Sequence, residues 1–447
     1  MKNISIWEDI KMKISYPKLN EDKMVDVLIV GGGITGVNIL YQLRKNNLNV
    51  MLVEQNKIGF SVTGKSTGKL SYLQNDLIDK IRKGLGDEIA AKYVKSQRDA
   101  IKMAVEIINK EKIACDLEKV NSVLYTNKDS EISKIKSLES FLRSNGVEVK
   151  EITNNLVQSK YIIEVSDTYM FHPVKFVYGL LKNNKFPIYE NTTIKEITKV
   201  NDYYLCSTKE NEIKAKWVIL ASHYPYFIVP YLFPIKCSLE KSYLSLAKFE
   251  TEPLSLISYS NPFVSIRTYK DNLIYLSNSH SVNSNVCDRE NYNELLKKVS
   301  DLGITPDYMW SNIDIITNDG LPYVGKLSGN LLIGTGYNTW GLTNGILAGK
   351  ILSDIVMNKE NEYEKLFSPT RKNMKQVVEG IKDVGKTIGG YVNGFINSDR
   401  MYKCPHAYCN LIYNEIDDTF DCPCHGSRFD NNGKCISGPA NKDIDIR

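Results

Sequence analysis

The hydrophobic period of the chain changes in a way that marks out alternating strands and helices. "VDVLIV" is an unbroken apolar run, which predicts a buried strand over Val25 to Val30. After a Gly-rich turn the apolar positions move to one helical face, continued by Leu40 and Leu43, and a second strand follows over Asn49 to Val53. The same order returns far downstream, where Leu331 to Ile333 reads as a buried strand and Leu342 to Val356 as an amphipathic helix. The stretch beginning "FPIYENTTIKEITKV" alternates like strands and ends in a buried one, Trp217 to Ala221. "LISYSNPFVSIRTYKDNLIYLSNSH" reads as three short strands separated by Pro- and Asn-rich turns. Between about 78 and 165 the pattern is mostly helical, and "ISKIKSLESFLRSNG" is amphipathic with Gly146 as its stop.

The turns carry chemistry. Gly31, Gly33 and Gly36 make G-x-G-x-x-G between the first strand and its helix. Gly31 permits the turn, Gly33 lets the backbone approach a pyrophosphate, and Gly36 allows close packing of helix and strand. Ile34 and Thr35 open the helix, whose free N–H groups and positive dipole end suit phosphate. Glu54 ends the second strand 18 residues after Gly36, near the usual offset of a carboxylate that binds ribose hydroxyls, and Gln55 follows it. "TGKSTGKLS" then adds Thr63, Gly64, Ser66, Thr67, Gly68, Lys69 and Leu70, more phosphate and ribose donors than a nicotinamide site needs. Downstream, Gly334 and Gly336 form a tight turn, and Gly341, Leu342 and Thr343 stand at the entry to the helix that follows. A helix N-terminus aimed at a ring that becomes anionic on reduction stabilises the reduced form, which is what a flavin site requires.

"VGGGITG", Glu54, "TGKSTGKLS", "WVILASHYP", "DGLPYVG" and "GTGYNTWGLTNG" together resemble the D-amino-acid-oxidase-like FAD-dependent oxidoreductases, over most of residues 5–360. The resemblance implies an α/β FAD-binding Rossmann-like fold built from three separated pieces, with an α+β substrate domain inserted between them. It also implies non-covalent FAD, because "TGKSTGKLS" and "GTGYNTWG" contain no His or Cys.

Bulk properties narrow the classes. Apolar content is 42%, ordinary for a globular protein, and the net charge of +5 is spread over segments where Lys alternates with Glu and Asp. Nothing there makes a case for nucleic acid. The first residues lack the apolar core of a signal peptide, and no run of 18 apolar residues appears, so the expected location is cytoplasmic. A reducing compartment turns suspicion for clustered Cys towards metal or redox work.

Of nine Cys and five His, five Cys and two His lie from Cys404 onward. Cys404, His406, Cys422 and His425 make C-x-H-x15-C-x2-H. Zinc also takes two Cys and two His, but its fingers commonly pair like with like. Here each half supplies one of each, as a [2Fe–2S] cluster with thiolates on one iron and imidazoles on the other requires. "CPHAYC" and "CPCHGSRFD" resemble the two cluster-binding loops of Rieske proteins, over about residues 400–440. That resemblance implies a Cys409–Cys424 disulfide tying the loops together, and a Ser427 hydroxyl on a cluster sulfur. Cys435 matches no ligand position and reads as a buried thiol. The base sheet that usually precedes the first box is missing, so this small all-β, loop-rich module is expected to lean on the FAD domain for burial.

Other expectations complete the reading. Arg267, in "VSIRTY", is the cation of the three-strand region that could pair bidentately with a substrate carboxylate, set against a solvated strand-face role. His172, His223 and His280 are scattered and read as hydrogen-bonded structural residues. Apolar positions at 377, 381, 384, 388, 391 and 395 form one helical stripe interrupted by five Gly, read as a connector packed on its own FAD domain, with self-association or membrane-surface contact as the alternatives. The expected organisation is FAD-binding segments over 1–80, 166–225 and 316–360; a mainly helical substrate-domain segment over 81–165 and its sheet over 226–315; a connector over 361–400; and the cluster module over 401–447. The expected function is oxidation of a small amine or amino-acid-like substrate by hydride transfer to FAD, with one-electron exchange through the cluster to an outside redox partner. A dioxygen-using oxidase with a structural cluster, or a redox-responsive binding protein, are the other classes.

Overall fold

The run at Val25–Val30 becomes the central strand of a largely parallel sheet. Lys23–Val30 pairs in parallel with Glu212–Leu220 on one side and Val50–Val53 on the other. Val27, Leu28 and Ile29 are fully buried, which is why the segment reads as a continuous apolar run rather than an alternation. The sheet order is Tyr323–Ser328, Leu331–Thr335, Glu212–Leu220, Lys23–Val30, Val50–Val53, Ile188–Tyr189. A meander, Glu196–Val200 and Tyr203–Ser207, extends it from Glu212–Leu220. Helices Ile34–Leu43 and Gly341–Val356 pack together on this sheet. The computed structural model describes residues 1–10, 14–153, 157–224, 236–282, 288–371, 402–406 and 408–446. The connector stripe at 377–395 lies outside them.

A second sheet of nine strands runs in the order Tyr308–Thr317, Cys237–Lys248, Asn272–Ser281, Ser265–Tyr269, Ser255–Ser258, Glu118–Thr126, Tyr161–Met170, Lys69–Leu70, with Val149–Glu151 beside Tyr161–Met170. The segment 81–165 is therefore less helical than its sequence suggests. Helices Asp87–Glu111 and Asp129–Ser144 are there, but so are Glu118–Thr126, Val149–Glu151 and the start of Tyr161–Met170. In Glu118–Thr126 the first half alternates in burial while the last five residues are all buried, so no single period stands out. Cys237–Lys248 and Tyr308–Thr317 also escape the sequence reading, because polar residues on one face look inward to a cavity.

A third, four-stranded antiparallel sheet, Ile412–Asn414, Thr419–Asp421, Arg428–Asp430 and Cys435–Ser437, forms the C-terminal module. It leans on both larger units. Asn56 Nδ2 donates to Ile436 O at 3.2 Å and Asn441 Nδ2 to Lys195 O at 2.9 Å, both on the dinucleotide side. On the nine-stranded side, buried Lys241 bridges Asp421 at 2.7 Å and Asp288 at 2.8 Å, and Tyr292 donates to Asp417 at 2.5 Å. The charged contacts thus go mainly to the nine-stranded sheet and its helix Asp288–Ser300, not to the dinucleotide domain alone. Among the described residues no helix is long and apolar enough to cross a membrane.

Candidate active site and cluster centre

A cavity of about 380 Å³ opens where four parallel strands end, and Val30, Val53, Ala221 and Gly334 line it. Ligands of open α/β sheets bind at this edge. Gly31 adopts φ +111°, and a Cβ there would lie 2.5 Å from Ala221 O. A Cβ on Gly33 would meet only Thr63 Oγ1, at 3.1 Å, and would otherwise project into cavity space. That is a cradle which a side chain would fill. Glu54 accepts the N–H of Gly32 at 2.7 Å and of Asn56 at 2.8 Å. Burial still pushes its carboxyl above the usual carboxylate range.

The "TGKSTGKLS" loop is held from behind by its carbonyls. Trp310 Nε1 donates to Lys65 O at 2.9 Å and Trp7 Nε1 to Ser66 O at 2.7 Å. Arg267 takes the next two, Thr67 O at 3.1 Å and Gly68 O at 2.6 Å, together with Phe171 O at 3.3 Å and Thr268 O at 2.8 Å. Arg267 is 1% exposed, sits over the rings of Trp7 and Tyr269, and is not part of the cavity wall. Its guanidinium serves backbone carbonyls, so the structure corrects both the substrate-anchor and the solvated-face expectation.

Of the residues singled out from sequence for FAD, Gly31, Gly33, Ile34, Thr35, Glu54 and Gln55 line the cavity. So do Thr63, Ser66, Thr67 and Lys69, and from the distant segment Gly334, Gly341 and Leu342. Gly36, Gly64, Gly68, Leu70, Gly336 and Thr343 stand behind that surface; Gly36, for instance, packs so closely that a Cβ would lie 1.9 Å from Gly31 O. Lys69 Nζ is buried and donates to Leu256 O at 2.7 Å and Ser265 Oγ at 2.8 Å. Burial, reinforced by Arg267, holds its ammonium well below the usual lysine range.

The opposite wall was not legible beforehand. Glu240, Ser242 and Leu244 of one strand and Asn312, Asp314 and Ile316 of its neighbour all line the cavity, every second residue facing in. Glu240 stands directly opposite Asp314 in the antiparallel register. Burial and the facing Glu240 push the Asp314 carboxyl up to about 7. "NIDI" alternates, but "SLEKSYL" runs three polar residues together between apolar ones, so only one of the two strands carried a period to read.

The module's two loops meet at a disulfide between Cys409 and Cys424. Each loop is wound by its own backbone: Tyr408 N donates to Cys404 O at 2.8 Å and Gly426 N to Cys422 O at 3.0 Å. The sulfurs of Cys409, Cys422 and Cys424 lie within 4.8 Å of one another, and since the first and last are joined, Cys422 keeps the thiol of that group. Cys404 and Cys422 are both buried, and the hydrogen bond between them, helped by burial, holds the Cys422 thiol well above its usual range. The imidazoles of His406 and His425 approach to 5.0 Å at 89°. Nδ1 of His406 is buried without a hydrogen-bond partner among the described residues. Burial pushes both rings towards the neutral form a metal ligand needs, His425 to about 4 with His406 adding to the effect. Two thiols and two neutral imidazoles held on linked loops fit a [2Fe–2S] cluster. Ser427 Oγ accepts the N–H of Ala440 at 3.1 Å, and the buried Cys435 thiol donates to Ala440 O at 3.1 Å.

The two regions touch. Ile436, Ser437 and Gly438 of the module line the large cavity. A smaller one of about 20 Å³ is walled by His425 and His223, and His223 also faces the large cavity. His223 adopts φ +65°, and its Nε2 is buried without a hydrogen-bond partner among the described residues. The other single histidines are plainly structural: His172 Nδ1 accepts the N–H of Lys175 as a helix cap, and His280 Nε2 pairs with the Tyr243 hydroxyl at 2.9 Å.

The chain belongs to the FAD dependent oxidoreductase family, which it matches over residues 26–355, and it carries a Rieske [2Fe-2S] domain over residues 401–446. FAD and a [2Fe–2S] cluster are its cofactors. YhfW of Bacillus subtilis, an iron-sulfur protein named for a Rieske 2Fe-2S centre, is 28% identical over 98% of this chain and 96% of its own length. Gamma-glutamylputrescine oxidoreductase of Escherichia coli is 21% identical over 78% of this chain and 87% of its own. Glycine oxidase from Geobacillus kaustophilus shares the fold, with a TM-score of 0.65 and 19% identity over 78% of this chain and 99% of that one.

Proposed function

We propose that this oxidoreductase oxidises a small amine or amino-acid-like substrate at the large cavity and exchanges electrons one at a time with an outside redox partner through its Rieske module. FAD supplies two-electron acceptance when bound, and the cluster supplies one-electron transfer. The observation that carries the reading is the shared wall: Ser437 and Gly438 of the module, and His223, face both the cofactor cavity and the small cavity closed by His425. A cluster kept for folding alone has no need of that position. The nitrogen-containing substrate is supported by the likeness to gamma-glutamylputrescine oxidoreductase and to glycine oxidase.

The chain's own groups divide the work. Gly31, Gly33 and Ile34 leave room for phosphates, and Glu54 stands where ribose hydroxyls would reach it. Trp7, Trp310 and Arg267 hold the second loop rigid, while Cys404, His406, Cys422 and His425 hold the cluster. The test is His425→Cys, which replaces a neutral ligand by an anionic one and lowers the cluster potential or loses the cluster. FAD content and stopped-flow bleaching by substrate should stay near normal while turnover with a one-electron acceptor falls strongly. Unchanged acceptor turnover in protein shown to lack the cluster would make the module structural.

A further inference from the structure

Resting on the reading that the large cavity holds the substrate, we propose that Glu240 and Asp314 bind the substrate as its ammonium cation and take the proton from its nitrogen. The substrates are then amines recognised by positive charge, not through a carboxylate.

The two acids are direct cross-strand neighbours on the inward face of the Cys237–Lys248 and Tyr308–Thr317 strands. Like charges so placed repel, and the arrangement destabilises the sheet unless a cation or proton relieves it. Asp76 lines the same cavity, as does Glu54 on the dinucleotide side. The cations lining it are partly engaged elsewhere. Lys69 is committed to Leu256 O and Ser265 Oγ, Lys80 Nζ donates to Thr317 O at 3.1 Å, and burial lowers Lys65. Among the described residues no arginine lines the cavity. A second observation points to a ligand in the same space: Trp340 is 7% exposed, lines the cavity, and its indole N–H has no acceptor among the described residues.

The chemistry needs such a pair. An ammonium nitrogen has no lone pair to push a hydride off the adjacent carbon. One N–H bond of R–NH3⁺ breaks, one O–H bond forms on the carboxylate pair, and the electron pair stays on nitrogen; no oxidant is consumed. A proton acceptor for this step works best with a pKa near the operating pH. Burial and Glu240 set Asp314 there, while burial also raises Glu240, with Lys80 opposing and Asp76 reinforcing. Those two groups and Asn312, which donates to Asp314 at 3.1 Å, are the charged and polar neighbours of the pair.

The test uses FAD-loaded protein without an electron acceptor, so its outcome does not depend on whether the cluster relays. The probes are tert-butylammonium, which has no hydrogen on the carbon beside nitrogen and cannot be oxidised, and pivalate, its carboxylate counterpart of similar shape. Binding is read from the visible flavin spectrum. Tert-butylammonium should bind at least about tenfold more tightly than pivalate, and should tighten several-fold between about pH 6 and about pH 8 as the pair loses its proton. Glu240→Gln and Asp314→Asn should each weaken the cation about tenfold while FAD occupancy holds. Tighter pivalate binding, no spectral response to either probe, or wild-type cation binding in both variants would overturn the proposal. Should a variant fail to hold FAD, the cation-to-pivalate comparison in the wild type decides.

Discussion

Lys241 Nζ lies 2.7 Å from Asp421 Oδ2, and the chain neighbours of the two residues are Glu240, in the wall of the large cavity, and Cys422, in the module's second loop. Burial alone would push Asp421 up, but the Arg428 guanidinium and Lys241 outweigh it and hold its carboxyl below the ordinary range. Burial likewise opposes the charge on Lys241, and Asp421 and Asp288 overcome it. Lys241→Met removes the cation and leaves buried acids behind. We expect a loss of about 3 kcal/mol or more in chemical denaturation, with the iron-sulfur absorbance disappearing before the flavin is released. Coincident loss of both signals at wild-type denaturant would contradict this.

Purified protein should carry about one FAD and two irons per chain. Zinc at about one per chain and no iron in metal analysis would remove the cluster assignment.

Gly33→Val should abolish flavin binding while leaving the cluster absorbance, because the new side chain occupies cavity space where backbone and pyrophosphate meet. A folded variant that keeps its flavin absorbance would refute the cradle.

Arg267→Lys separates clamp from anchor. A lysine cannot span the carbonyls of Thr67, Gly68 and Phe171, so stability should fall by about 2 kcal/mol or more and FAD should be held more weakly. A variant with unchanged melting and FAD retention but a raised KM would return Arg267 to the substrate.

Asp314→Asn should change how stability depends on pH. An unfolded Asp titrates near ~3.9, and the folded carboxyl near about 7. Between those values the folded state binds more protons, so stability falls as pH rises through the window. The variant escapes that fall. Relative to wild type it should be more stable at about pH 8 than at about pH 4, by up to about 4 kcal/mol in denaturant titrations. A difference that does not vary with pH would show that the pair is not strained.

What could be read beforehand was short-ranged. Gly31, Gly33 and Glu54 declare themselves because a turn, a helix start and a strand end lie within one stretch. Cys404, His406, Cys422 and His425 do so because donor type and spacing are local properties. Glu240 and Asp314 are brought together only by strand register, which no local period states, and their inward polarity disguises the strands that carry them. For Arg267 the sequence told residue type and strand, but the direction of the guanidinium depends on Trp7, Phe171 and the loop at 65–68, which come from elsewhere in the chain.

The module's borrowed floor also orders its assembly. Lys241, Tyr292 and Ser311, which receive Asp417 and Asp421, all precede the iron-binding loops in the chain. On the ribosome the platform emerges before the residues that mature upon it, and domains fold as they appear. In that order the loops would be seated beside the flavin pocket when iron and sulfide reach them, and a break in the nine-stranded sheet far from any metal ligand would surface first as a failure of cluster maturation.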